Sequence, residues 1–123
     1  MPTEPSGVQI FGRRDSRDSR KALRFFRERR TNIHFVDAAL KPPSRGELRR
    51  FVQRLGAEAL LDREARAFRD QGLGYLTMDE AEIGERLAVD AGLLRLPLVR
   101  YGERVSAGLD EAAWKEWLRA DRR

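Results

Sequence analysis

Between Gly12 and Ala22 the chain reads Arg13-Arg14-Asp15-Ser16-Arg17-Asp18-Ser19-Arg20-Lys21, its densest run of side chains that could do chemistry. Arg13, Arg14, Arg17 and Arg20 offer guanidinium groups, and Ser16 and Ser19 can donate hydrogen bonds. Set at the start of a helix, they could hold an oxyanion, because a helix tip presents free N–H groups and the positive end of the macrodipole. Asp15 and Asp18 share the turn and could instead pair with those arginines, leaving a capped, solvated helix start. A nucleophilic role for Ser16 needs a neighbouring base, since a hydroxyl is protonated at neutral pH. No histidine is nearby in sequence. The single histidine, His34, lies in Asn32-Ile33-His34-Phe35-Val36, where alternation places it on the solvent face of a strand, and one histidine without a histidine partner makes a poor metal site. The chain has no cysteine, which excludes disulfides, thiolate metal sites and every thiol nucleophile.

The elements that must position this loop follow from hydrophobic periodicity. Val8-Gln9-Ile10-Phe11 predicts a short strand ended by Gly12. Asp15 or Ser16 caps a helix whose Ala22, Leu23, Phe25 and Phe26 recur at helical spacing. After a turn at Thr31-Asn32, Ile33-His34-Phe35-Val36 predicts a second strand, and the crossover is long enough for parallel pairing. Lys41-Pro42-Pro43 breaks the pattern. Ser44 with Glu47 forms a capping box for a helix carrying Leu48, Phe51, Val52 and Leu55 on one face, closed by Gly56. Short helical pieces are expected over 57–61 and 64–71. Thr77 with Glu80 reads as a second capping box, ahead of a stripe of Ile83, Leu87 and Ala88. Leu96-Pro97-Leu98-Val99 predicts a strand, Tyr101-Gly102-Glu103 a turn, and 104–107 a returning strand. Asp110 caps a last helix with Trp114, Trp117 and Leu118 on its apolar edge. The order βαβ, helical insert, ββα predicts an α/β fold with a mixed four-stranded sheet flanked by helices, a thioredoxin-like arrangement.

A chain of 123 residues with 41% hydrophobic and 37% charged residues suits one domain with a modest core, and the expected domain spans 1–123 with residues 1–6 as an N-terminal tail. No apolar run approaches the roughly 20 residues that cross a bilayer, and the start has no signal-peptide pattern. A cytoplasmic protein without membrane contact is expected. The net charge of +5 is concentrated in residues 1–30, which hold nine basic residues against four acidic ones. Arginine makes up 22 of the 25 basic residues, and this general preference, with basic charge alone giving only nonspecific attraction, disfavours a nucleic-acid partner.

Ile10-Phe11-Gly12 followed by the run from Asp15 to Leu23 resembles the opening of the arsenate reductase (ArsC) family, which includes the Spx transcription regulators. Pro42-Pro43-Ser44, Ala59-Leu60-Leu61, Phe68 through Gly72-Leu73, Leu96-Pro97-Leu98-Val99 and Gly108-Leu109-Asp110 follow in the family's order and spacing, so the resemblance covers about residues 8–118. It implies a thioredoxin-like fold, a catalytic cysteine at the first helix tip, two anion-binding arginines and a cis proline, here Pro97. At the implied positions this chain carries Ser16 for the nucleophilic cysteine, Glu58 for the first arginine and Leu96 for the arginine before the proline. Arg95 is one residue away, which at a strand start points it to the other face. Ser19 and Arg20 match the family's text. The resemblance therefore implies a degenerate member without thiol-dependent reductase activity, no cofactor and no catalytic residues, acting through a protein partner or as a regulatory module. The alternative is a binder of glutathione or an oxyanion at the first helix tip, with Arg13, Arg14, Ser16, Arg17, Ser19, Arg20 and Pro97 as the candidate anion or partner site.

Overall fold

A computed structural model describes residues 7–121, in two compact units. The expected tail over residues 1–6 lies outside the described residues. The first unit combines the residues up to Asp37 with those from Leu96 onward. Its strands are β1 (Val8–Gly12), β2 (Ile33–Asp37), β3 (Leu98–Tyr101) and β4 (Arg104–Ala107), and its helices are α1 (Arg17–Glu28) and the C-terminal helix Glu111–Asp121. The sheet order is β2-β1-β3-β4, with β1 parallel to β2 and antiparallel to β3, and β3 antiparallel to β4. Both the βαβ and the ββα parts expected from the apolar spacing are present.

One face of this sheet makes the core. Val8, Ile10, Val99 and Tyr101 pack with Ala22, Phe25 and Phe26 of α1 and with Trp114, Trp117 and Leu118 of the C-terminal helix. Phe25 and Phe26 each place a ring centroid 5.3 Å from Trp114, the close aromatic packing that anchors such cores. The fully buried Trp114 donates its Nε1–H to Ser106 Oγ at 2.8 Å, so its one polar atom stays satisfied. Asp110 Oδ1 accepts from Ala113 N at 3.2 Å, the expected cap of this helix. The expected turn at Thr31-Asn32 falls slightly earlier. α1 ends through Arg29 and Arg30, whose φ of 56° is left-handed, and the chain then enters β2 through Thr31 and Asn32.

The second unit, Ala38–Arg95, is helical: α2 (Arg45–Leu55), α3 (Ala57–Leu60), α4 (Arg66–Asp70) and α5 (Glu80–Val89), with 3-10 turns at Leu73–Tyr75 and Ala91–Leu93; the C-terminal helix of the first unit is α6. Leu48, Phe51, Leu60, Phe68, Leu73, Ile83, Leu87 and Leu93 are among its buried apolar residues. Ser44 and Glu47 form the expected capping box, and Gly56, at φ 82°, follows α2 as expected. The second capping box lies elsewhere than expected. Asp79 and Glu82 form it, with Asp79 Oδ1 accepting from Glu82 N at 2.8 Å. Glu80 is turned to another helix: its carboxylate accepts from Ala57 N at 2.9 Å and from Glu58 N at 3.2 Å, capping α3 in place of the missing side-chain cap at Gly56.

Candidate functional site at the start of α1

The loop between β1 and α1 is closed by two serines. Ser16 is the N-cap, with extended backbone, and its Oγ accepts from Ser19 N at 3.1 Å. Ser19 Oγ in turn accepts from Arg13 N at 3.1 Å, which ties the end of the strand to the first helical turn. Ser19 is fully buried against Gly12, where an added Cβ would stand 2.7 Å from its Oγ. That contact requires glycine at position 12. Ser16 N donates to Arg13 O at 3.0 Å and completes the turn.

The arginines around this tip are engaged differently from one another. Arg13 Nη2 pairs with Asp15 Oδ2 at 2.9 Å, both side chains exposed. Arg20 Nη1 donates to Arg14 O at 2.9 Å. The Arg14 guanidinium carbon lies 5.3 Å from the centre of the Phe35 ring, a cation–π contact. Arg17 is exposed and Asp18 half-exposed, and neither makes an ion pair among the described residues. Asp18 in the first turn complements the positive end of the helix. Thus Asp15 pairs as one of the two sequence readings has it, whereas Asp18 does not.

The other positions singled out in the sequence fall in two places. Leu98 pairs with Phe11 in register, which sets Pro97 beside the β1 end that leads into the loop. The Leu96–Pro97 bond is cis, Pro97 is buried, and its carbonyl accepts from Gly108 N at 2.9 Å. Leu96 is half-buried and carries no charge to this edge. Glu58 belongs to the helical unit, where its exposed carboxylate takes Arg63 Nη2 at 2.6 Å and Nε at 2.9 Å. Arg95, in the same unit, is exposed and donates its backbone N–H to Leu60 O at 2.8 Å. His34 is exposed and registers with Gln9, near the opposite end of β1 from the loop, so it supplies no base beside Ser16. Among the described residues no group of His, Asp and Glu side chains is arranged to hold a metal ion.

A profile of the ArsC family matches residues 11–117. The chain belongs to the ArsC family. It is similar to the uncharacterized protein YusI of Bacillus subtilis (strain 168), with 29% identity over 106 residues that cover 79% of this chain and 86% of that protein. Among solved structures it resembles the YFFB protein, with a TM-score of 0.81 at 22% identity over 90% of this chain and 98% of that one. It also resembles an arsenate reductase from Vibrio cholerae, with a TM-score of 0.77 at 18% identity over 91% and 98% of the two chains. At these identities the structural likeness establishes the thioredoxin-like fold. Within the ArsC family the chain is degenerate, having no cysteine at all.

Sequence reasoning found the serines and arginines of the loop but not what Ser19 does. A serine three residues after an N-cap reads as an ordinary surface position. Gly12 was the available signal, because a glycine closing a strand often marks a close approach of another group.

Proposed function

We propose that this ArsC-family chain is a non-catalytic cytoplasmic module that docks a protein partner and performs no thiol-dependent reduction. The carrying observation is Ser16. An oxygen stands where the resemblance puts the sulfur, it is occupied as the N-cap acceptor, no histidine lies beside it, and the neighbouring Asp15 carboxylate is paired with Arg13. Glu58, where the resemblance expects a guanidinium, adds a negative charge already committed to Arg63. Nothing at these positions would activate a nucleophile or steady an arsenate.

The partner reading is supported by the outward face of α1. Arg17, Lys21, Arg24 and Arg27 are exposed and have no ion-pair partner among the described residues. Unpaired cations along one helix suit an acidic protein surface and would steer its approach.

Two measurements test this. In arsenate reduction assays with glutathione as thiol donor, the chain and its Ser16→Cys variant should both stay at background, because the two guanidinium positions are also lost; turnover by either would overturn the non-catalytic reading. In affinity capture from the native extract, a protein held by the chain should be lost when Arg24 and Arg27 are both changed to Glu. Equal recovery by both baits, or recovery abolished by nuclease, would overturn the acidic-partner reading.

A further inference from the structure

The sheet unit has a second polar centre, at the opposite end of β1 from Ser16. Because β1 and β2 are parallel and β3 is antiparallel to β1, the starts of β1 and β2 lie beside the end of β3. There Gln9 registers with His34 on one side and with Arg100 on the other. Residues facing each other across strands share a sheet face, so the three side chains form one row. It lies on the face opposite Val8, Ile10, Val99 and Tyr101. The row opens into a cavity of about 350 Å³ lined also by Gly7, Asn32 and Gly102. An added Cβ at Gly7 would stand 2.4 Å from the Asn32 carbonyl oxygen, so backbone comes close at the cavity edge.

Arg100 is the telling group. It is half-buried, and its Nε–H donates to Gly102 O at 2.9 Å, which fixes the plane of the guanidinium. Its two Nη groups have no partner among the described residues, and no carboxylate lines the cavity. Among the described residues only Asp121 Oδ2 is buried without a partner, so the Nη donors reach water in the cleft, and a guanidinium already held in plane can exchange that water for a planar acceptor with little reorganisation. Gln9 and His34 beside it make no side-chain hydrogen bond among the described residues.

We propose that this cleft binds a small monocarboxylate bearing a further hydroxyl or amide group. The carboxylate seats on the Nη pair of Arg100, whose planar fork matches its two oxygens. Gln9, which both donates and accepts, and the His34 imidazole take the second polar group. One guanidinium among the cavity-lining residues balances one negative charge, which favours a carboxylate over a phosphate dianion. The volume lies at the lower end of ligand sites, about 300–1,000 Å³, and so limits the ligand to a small metabolite.

The test is an amide NMR titration of the full chain with L-lactate, acetate, neutral L-lactamide and inorganic phosphate. Lactate should give saturable shifts at Gly7, Gln9, Gly102 and the Arg100 Nε–H, with lactamide at least about tenfold weaker. Arg100→Gln should weaken lactate by about tenfold or more and Arg100→Lys by less, in variants whose remaining spectrum is unchanged. The proposal is overturned if neither carboxylate gives a saturable shift by about 50 mM, far above the concentrations at which specific sites fill. It is also overturned if Arg100→Gln binds lactate as the parent does, if phosphate binds more tightly than lactate, or if the shifts centre on Arg17 and Asp18.

Discussion

Ser16 and Ser19 are one helical turn apart and serve opposite ends of the same loop. The first keeps its hydroxyl half-exposed and caps α1. The second is wholly buried and holds the Arg13 N–H. Their removal should therefore differ in cost. Ser16→Ala should lower stability by about 0.5–2 kcal/mol, the usual loss of an N-cap. Ser19→Ala should cost about 1–3 kcal/mol, because it strands a partly buried N–H donor. Urea denaturation of the two variants reads both values, and a Ser19→Ala midpoint equal to that of the parent would contradict the role given to Ser19. The cap was legible, since Asp15-Ser16 ahead of a periodic apolar run announces a helix start. The buried hydroxyl was not, because its environment is set by the absent side chain of Gly12, seven residues earlier.

At the level of elements, capping in the helical unit shows where local patterns mislead. Thr77 and Glu80 have the spacing of a capping box, yet Asp79 and Glu82 have it too, and the latter pair is formed. Glu80 is thereby released to cap α3, whose own N-cap position is Gly56. A partner 23 residues away cannot be read from a four-residue motif. Glu80→Ala should cost about 1 kcal/mol, within the range for lost caps, and should speed amide exchange at Ala57 and Glu58. Unaltered exchange there would argue against this cap.

The bidentate Arg45–Glu85 pair joins α2 to α5 at 2.8 and 2.9 Å. The hydrogen bond from Arg45, and then its charge, hold the Glu85 carboxyl below its ordinary value. In the unfolded chain that carboxyl takes up a proton at higher pH than in the folded one. The stability contributed by the pair is thus complete above the ordinary carboxylate value and is lost as pH falls through the lowered one. The effect is small, because both groups are exposed. The difference in denaturation midpoint between parent and Glu85→Gln should be positive at neutral pH and vanish in acid; a difference independent of pH would count against the pair.

For the whole molecule, the order of strands and helices was legible because each apolar stripe belongs to one element and the breaks fall at Gly12, Pro42-Pro43, Gly56 and Gly102. The family followed from an ordered set of short segments across the chain, none diagnostic alone. The helical insert was legible from its periodicity, but that it forms a compact unit of its own, Ala38–Arg95, was not, because no boundary in the sequence marks it. No helix among the described residues is long and apolar enough to cross a membrane. We infer that the two units nevertheless act as one domain, and calorimetry should then show a single transition whose van't Hoff and calorimetric enthalpies agree. Two resolved peaks would end that view.

Trp114 and Trp117 both belong to the sheet unit, and the segment Ala38–Arg95 holds no tryptophan. Indole emission consequently arises in one half of the molecule only. A fluorophore for the silent half is easily supplied at Tyr75, which is 96% exposed, so that an aromatic replacement there disturbs no packing while giving the helical segment its own signal.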